Sequence, residues 1–437
     1  MRAKKLVSML LALSLSVGML AGCGTSGNDK KSGQGDKPYT GVTLKVWGGN
    51  IEINSTTRAI MDKATEKLGM QFEIEIAPSG SDGDNVLKTK LASGDLPDIF
   101  NYNSGSKFLS LNPTQYFADM TDQKMTARFD DNFKKCVSVN DKIYGAPFST
   151  TQAGAIVYWK PDYESLGLKV PNTWDEFLKN CETLKKAGKT PCYLSNGDTW
   201  TTQVLFLGDN HNVITSDPNF AQEFEAGKAK FATTKAALES FRKYEDLTSY
   251  YNADGSAAKY QDGIEDMSVG KATHWIILTQ AIGEMIAKHP DCADKLGVFP
   301  IPGTDASKTG LTVWEPQAWY VSKDSQQKEA AMAFLNFWYE DENVNEYIKA
   351  MGANGPSCLK GYKLPDTVCP AIRVDMQKYF DQGKTTPALE YQTPIKGNSC
   401  EQITSALSLG QLNGKDAAQR YDDDCKLSAN QLGFNWK

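Results

Sequence analysis

The sequence predicts an α/β fold with room for two or three domains or two lobes, and three observations carry that expectation. Residues 44–76 read as strand, helix, strand, the βαβ unit from which α/β lobes are built. Further along, a capping box and several apolar stripes at helical spacing mark more helices. Finally, 437 residues with 40% hydrophobic and 23% charged side chains suit an ordinary globular chain at about 100–200 residues per domain. Thoroughgoing disorder, collagen-like repeats and a small disulfide scaffold are excluded.

Taken in order, Arg2, Lys4 and Lys5 precede an apolar run over residues 6–20, interrupted only by Ser8, Ser14, Ser16 and Gly18. This is the pattern of a signal peptide over residues 1–22, since a permanent membrane span needs about 20 predominantly apolar residues. Its end, Leu20-Ala21-Gly22-Cys23, resembles a bacterial lipobox. That resemblance implies cleavage before Cys23 and a diacylglycerol on its sulfur, holding the protein on the outer face of the cytoplasmic membrane. Residues 23–37, rich in Gly, Ser, Asp and Lys without apolar periodicity, are expected to form a flexible tether. The exported part keeps 44 basic groups against 53 acidic ones, and eight cysteines besides Cys23. An even cysteine count outside the cytoplasm permits disulfides, and Cys181/Cys192 and Cys358/Cys369, both eleven apart, are the pairs to examine; buried free thiols are the alternative.

In the body, Leu44-Lys45-Val46 alternates as a strand, residues 56–68 read as a helix closed by Gly69, and residues 72–76 alternate again. Residues 85–92 form a helix and residues 96–100 lead into a third strand. Thr173-Trp174-Asp175-Glu176 is a capping box, followed by apolar positions Phe177, Leu178, Cys181 and Leu184. Residues 328–339 carry Ala331, Phe334, Leu335 and Trp338 on one stripe, read as core. Residues 399–412 and 415–432 read as terminal helices.

The composition also excludes functions. A mildly acidic chain with mixed signs has no electrostatic footprint for nucleic acid, and the three histidines, His211, His274 and His289, form no zinc-hydrolase pattern. No cofactor and no metal are expected.

One series of motifs is specific. Ile143-Tyr144-Gly145-Ala146-Pro147-Phe148 is followed by Ala155-Ile156-Val157-Tyr158-Trp159-Lys160 and by Leu166-Gly167-Leu168-Lys169-Val170-Pro171-Asn172-Thr173-Trp174-Asp175-Glu176-Phe177. With Leu91-Ala92-Ser93-Gly94-Asp95-Leu96-Pro97-Asp98-Ile99, Gly270-Lys271-Ala272 and Phe299-Pro300-Ile301-Pro302-Gly303 in order, the chain resembles extracellular solute-binding proteins of family 1, carbohydrate receptors of bacterial ABC importers. The resemblance implies a two-lobed, periplasmic-binding-protein type fold with a hinge and an interlobe ligand cleft. On this pattern the first lobe takes residues 38–147 and 266–316, and the second takes 152–262 and 320–437. It departs from the family at Tyr158-Trp159-Lys160, where Tyr-Asn is common, and at Thr273-His274, where Ala-Met is common.

A sugar offers an apolar C–H face and a rim of hydroxyls, so its receptor needs aromatic plates and planar polar groups. Trp200, among Asn196, Asp198 and Thr201, is the leading plate, with Asp198 as its polar neighbour. Trp314 and Glu315 offer a second plate and a hydroxyl acceptor, or else a structural pair beside a hinge. Asn50 and Glu52 follow the first strand, and Asn101 and Asn103 the third, at the edge where open α/β sheets bind ligands. Gln280, placed by what the family resemblance implies for the spacing after Gly270, and Thr151, near the first lobe crossing, complete the candidates. Trp47, Tyr158 and Trp275 are read as core, and Asp422-Asp423-Asp424 as a solvated run. The resulting expectation is a monomeric, lipid-anchored receptor that delivers an oligosaccharide to an ABC permease, without catalysis. The alternatives are a receptor for a non-carbohydrate solute and a secreted carbohydrate-active enzyme.

Overall fold

The computed structural model describes residues 37–50, 52–78 and 80–436. The signal segment 1–22, Cys23 and residues 24–36 of the tether lie outside the described residues. Among the described residues, no helix is long and apolar enough to cross a membrane. In chain order the strands are β1 (Thr43–Gly48), β2 (Gln71–Ile76), β3 (Ile99–Tyr102), β4 (Ser138–Val139), β5 (Lys142–Ile143), β6 (Gly145–Pro147) and β7 (Gln152–Trp159). They continue with β8 (Thr190–Tyr193), β9 (Ala272–Leu278), β10 (Leu296–Phe299), β11 (Leu311–Trp314), β12 (Ala318–Val321) and β13 (Thr385–Pro387).

Two mixed sheets hold eleven of them, and β4 and β5 pair antiparallel as a separate two-stranded sheet. The first has the order β2-β1-β3-β12-β6, with β1 parallel to β2 and β3, and β12 antiparallel to β3 and β6. The second has the order β13-β11-β7-β9-β8, and β7 is long enough to pair with β11 through Gln152–Gly154 and with β10 through Ile156–Trp159. The β7 side chains alternate as the two-residue period requires: Val157 joins one core with Trp275 and Ile277, while Ile156 and Tyr158 join the opposite one with Phe177, Phe206, Phe241 and Tyr421.

The local reading of the helices holds. Asn54 caps Ser55–Leu68 by accepting the Thr57 amide at 2.9 Å, and Gly69 ends it at φ 93°. At Trp174–Lys186 the Thr173 hydroxyl accepts the Glu176 amide at 3.3 Å, while the Glu176 carboxylate accepts the amides of Asn172 at 2.7 Å and Thr173 at 3.2 Å. The stripe Ala331, Phe334, Leu335 and Trp338 of Lys328–Trp338 is buried, and Phe334 meets Phe72 edge-on at 4.8 Å.

The lobe boundaries need correction. Residues 272–314, expected in the first lobe, supply β9, β10 and β11 to the second sheet; β12 and helices Lys328–Trp338 and Asp341–Met351, expected in the second lobe, belong with the first. The physical reason is that β9, largely buried, needs partners on both edges, and finds them in β7 and β8. The chain therefore crosses between sheets at 148–151, 315–317 and 352–384. Gly105 serves one contact across these lobes. Its φ is 71°, and a Cβ there would lie 2.9 Å from the Tyr391 Cα, so only glycine fits without displacement.

The acidic run also differs from expectation. Asp422 is buried on helix Gly414–Gln431 and accepts the amides of Phe231 and Ala232, both at 2.8 Å, while Asp424 accepts the Ser399 amide. Burial pushes the Asp422 carboxyl up to about 6.

His211 is the buried group with the opposite behaviour. Its Nε2–H donates to the Lys308 carbonyl at 3.0 Å, which leaves Nδ1 to accept from the Thr386 hydroxyl at 2.9 Å. Burial pushes the ring down to about 4. The folded ring thus binds a proton less tightly than the unfolded one, so its stability contribution is complete above about pH 6.5 and is lost as pH falls towards 4, by up to about 3 kcal/mol. Asp422 runs the other way below pH 6, so the difference between wild type and His211→Gln isolates the histidine. Chemical unfolding of both at pH 7 and pH 5 should show wild type losing more; equal losses would remove His211 from the acid response.

Candidate functional site

The carboxyl ends of β1, β2 and β3 open onto a cavity of about 310 Å³, lined by Trp47, Gly49, Asn50, Glu52, Ala77, Pro78, Gly83, Asp84, Asn101, Tyr102, Asn103, Lys107 and Gln317. Parallel strands converge there because their carboxyl ends share one edge, with Trp47 paired in register to Phe100. The turn after β1 is locked by local bonds. The Ile53 amide donates to the Gly49 carbonyl at 2.8 Å, and the Thr57 hydroxyl to the Glu52 carbonyl at 2.6 Å. A Cβ at Gly49 would lie 2.4 Å from Glu52 Oε2, so a side chain there would displace the Glu52 carboxylate from its place over the turn. Burial raises the Glu52 carboxyl above its ordinary range, opposed in part by the backbone amides of Glu52 and Gly49.

Two buried donors on this wall have no partner: Trp47 Nε1 and Asn101 Nδ2. Trp47 is 3% exposed and Asn101 4%, so both lie where an unmatched N–H costs about 1–3 kcal/mol. Asp84, by contrast, is engaged by Lys107 at 3.4 Å and by the Tyr102 phenol, whose pKa is raised by burial first and Asp84 second. The cavity is therefore polar, bears both signs of charge and has an indole and a phenol in its walls.

A second group forms around Tyr260. Asp198 accepts the Tyr260 amide at 2.8 Å, the Trp200 ring lies 5.2 Å from the Tyr260 ring at 48°, and Gln280 hydrogen-bonds the Tyr260 phenol. That phenol also donates to Glu284 at 2.8 Å. Trp200 is half-buried, leaving part of its ring open, whereas Asp198 has committed one oxygen to the start of helix Tyr260–Ser268.

Of the ten residues expected to bind ligand, Asn50, Glu52, Asn101 and Asn103 share the cavity, and Asp198, Trp200 and Gln280 share the Tyr260 group. Trp314, Glu315 and Thr151 join neither group, because the structure turns them inward onto other partners. Trp314 is buried on β11, covers Gly154 and donates its Nε1–H to Glu390 at 2.7 Å. Glu315 is buried beside Cys358, and burial first, then Asp130, raises its carboxyl well above the ordinary range. Thr151 is fully buried, and its amide and hydroxyl both donate to the Pro356 carbonyl at 3.0 Å.

Sequence reasoning missed Trp47, Asp84, Tyr102, Lys107 and Gln317 in the cavity, and Tyr260 and Glu284 in the second group. The available signal for Trp47 was its place at the carboxyl end of β1, one residue before Gly48-Gly49. Of the cysteine pairs, Cys181 and Cys192 bring their sulfurs to 3.7 Å, whereas Cys358 turns to Glu315 and the Ser149 carbonyl.

Comparison with known proteins agrees with this architecture. The chain is 26% identical over 374 residues to the multiple sugar-binding protein of Streptococcus mutans, covering 83% of this chain and 84% of that one. It is 25% identical over 436 residues to the diacetylchitobiose binding protein DasA of Streptomyces coelicolor, covering 96% and 97%. The apo form of RafE from Streptococcus pneumoniae superposes with a TM-score of 0.74 at 20% identity, over 90% of this chain and 98% of that one, which establishes the two-lobed fold. The profile described as bacterial extracellular solute-binding protein matches residues 48–345, and the chain belongs to that family.

Proposed function

We propose that this protein is a lipid-anchored receptor that captures an oligosaccharide in the cleft between its lobes and delivers it to the permease of an ABC importer, without catalysis. The observation that carries the ligand class is the pair of unmatched buried donors, Trp47 Nε1 and Asn101 Nδ2, in a cavity that also offers the Glu52 carboxylate and the Asn50 and Asn103 side chains. Hydroxyls both donate and accept, so a sugar can satisfy the amide, the indole and the carboxylate together. The sugar-binding relatives support the same reading. The half-buried Trp200 supplies the plate on the other lobe, and closure about the three crossings brings the two groups onto one ligand. The anchor rests on the Leu20-Ala21-Gly22-Cys23 sequence, with Cys23 as the lipidated residue. Binding without turnover is supported by the state of Asp84, which is tied to Lys107 and Tyr102 rather than free to act opposite Glu52 as a second carboxyl group.

The test is thermal unfolding of the purified protein against malto-, xylo-, manno-, fructo- and galacto-oligosaccharides. A ligand at 100 times its dissociation constant adds about 2.7 kcal/mol of stability, well within reach of a midpoint shift. One responding series, recovered chemically unchanged, fits a receptor; silence from a folded protein across the panel sinks the carbohydrate reading, and cleaved products sink the non-catalytic one. With the responding sugar in hand, Trp200→Ala should weaken binding by about 1–3 kcal/mol with little change in fold. Unchanged affinity by calorimetry would remove Trp200 from the site.

A further inference from the structure

Glu315 lies where the chain passes from β11 of the second sheet to β12 of the first, and the cleft does not use it. Its Oε2 stands 3.7 Å from Cys358 Sγ, and its Oε1 is buried without a partner. The residue is 4% exposed, so bulk solvent does not reach that oxygen. Asp130 repeats the pattern. Its Oδ1 accepts the amides of Asn132 and Phe133 at 2.9 and 3.0 Å, capping helix Asp131–Cys136, while its Oδ2 is buried and unpaired. Asp130, Glu315 and Cys358 each bring one oxygen or sulfur to within 4.8 Å of the others. The Glu315 carboxyl is buried and the Asp130 carboxyl partly so, and each keeps one buried oxygen unmatched; holding both ionised this close carries repulsion and desolvation that a cation between them removes.

We propose that Asp130, Glu315 and Cys358 form a binding site for one divalent metal ion of zinc type. The donor set selects the ion. A thiolate suits zinc and similar borderline metals, whereas calcium takes six to eight oxygens and magnesium a near-ideal oxygen octahedron. Zinc bonds of about 2.0–2.2 Å to oxygen and about 2.3 Å to sulfur give tetrahedral donor separations of about 3.5 Å, within the spread seen here. A water fills the fourth position. Metal–sulfur bond formation displaces the Cys358 thiol proton to solvent, so binding releases that proton together with any held by the Glu315 carboxyl. The way in is a cavity of about 940 Å³ that has Asp130 in its wall, with Ser357 and Leu359 on either side of Cys358. The site also joins the crossings. Glu315 is on the second and Cys358 on the third, where its carbonyl accepts the Asp130 amide at 2.8 Å and its thiol lies 3.9 Å from the Ser149 carbonyl of the first.

Cys181, Cys192 and His274 also cluster, but the His274 ring is already occupied, Nδ1 by the Pro191 carbonyl and Nε2 by the Tyr163 hydroxyl, each at 2.7 Å. That cluster serves as the control. The purified protein, stripped with a chelator under reducing conditions, is titrated with cobalt(II). The expected result is a thiolate-to-cobalt charge-transfer band that saturates at one equivalent and is displaced by zinc. Cys358→Ser abolishes the band, Glu315→Gln weakens cobalt binding at least tenfold, and Cys181→Ser leaves both unchanged. Zinc, but not calcium, raises the unfolding midpoint of the wild type. Absence of the band, its survival in Cys358→Ser, or its loss in Cys181→Ser overturns the assignment. Should Cys358→Ser fail to fold, Glu315→Gln decides alone, because undiminished cobalt affinity in that variant is incompatible with the site.

Discussion

Replacing Lys243 with methionine should lower the free energy of unfolding by about 3 to 5 kcal/mol, the cost of leaving a buried charge without its partner. Lys243 and Asp209 form an interior ion pair, with side chains 6% and 1% exposed. The Lys243 ammonium donates to Asp209 and, at 2.8 Å, to the Pro302 carbonyl, and it sits 5.0 Å from the centre of the Trp174 ring. Asp209 receives further bonds from Ser240 Oγ and Asn212 Nδ2, both at 2.7 Å. The pair thus fastens helix Lys235–Leu247 to the junction of helices Val204–Gly208 and Asn210–Ser216, and the Pro302 bond ties it to the segment before β11, where the Gly303 carbonyl accepts the Trp174 amide. Methionine matches the length of the lysine stem but leaves Asp209 with two neutral donors. Adding Asp209→Asn removes the stranded charge, so the double variant should recover most of the loss. Urea unfolding of the three proteins measures this directly. A loss below about 1 kcal/mol in Lys243→Met would place the pair in the class of exposed salt bridges.

Lys243 also shows what sequence leaves unread. Its helix is periodic, but nothing in the sequence pairs it with an acid 34 residues upstream. Local structure was legible because its causes are local. The alternation of β1 and β2, the Thr173/Glu176 box and the stripe on Lys328–Trp338 each depend on residues within a few positions. The sheet to which a strand belongs depends on partners far away. The membership of β9 follows from Val157 opposite Trp275 and Cys192 opposite His274, contacts across more than 80 residues. The boundaries implied by the family resemblance put residues 272–314 with the first lobe, whereas these distant pairings put them in the second sheet.

The same division explains the site. Asn50, Glu52, Asn101 and Asn103 were legible because polar residues that follow parallel strands gather at one edge whatever the rest of the chain does. Trp47 reads as core, and it is buried; what burial alone conceals is that its N–H remains unmatched while the residue lines the cavity. Trp314 and Glu315 misled because they stand at a crossing, where proximity in sequence to a hinge suggests proximity to ligand. Their partners, Glu390 and Cys358, come from the last third of the chain, and they draw both side chains inward.

Glu52→Ala should weaken sugar binding about tenfold to a hundredfold, since a hydrogen bond to a charged group is worth about 1.5–3 kcal/mol. The carboxylate is placed for this by the turn at Gly49, and it is held partly out of water. Because burial raises its pKa, the ionised group costs stability in the empty protein, so its removal should leave the unfolding midpoint unchanged or slightly higher. That separates a ligand contact from a structural one. A pH series adds an independent reading. Protonation turns an acceptor of two hydroxyls into a group with less accepting capacity, so wild-type affinity should fall on acidification, beginning above the ordinary carboxylate range. Glu52→Gln, which cannot ionise, should bind more weakly at neutral pH and lose that dependence. Calorimetry of the three proteins with the responding sugar decides the matter: undiminished affinity in Glu52→Ala takes Glu52 out of the site. A fall in affinity matched by an equal fall in stability would instead make it a support of the β1 turn.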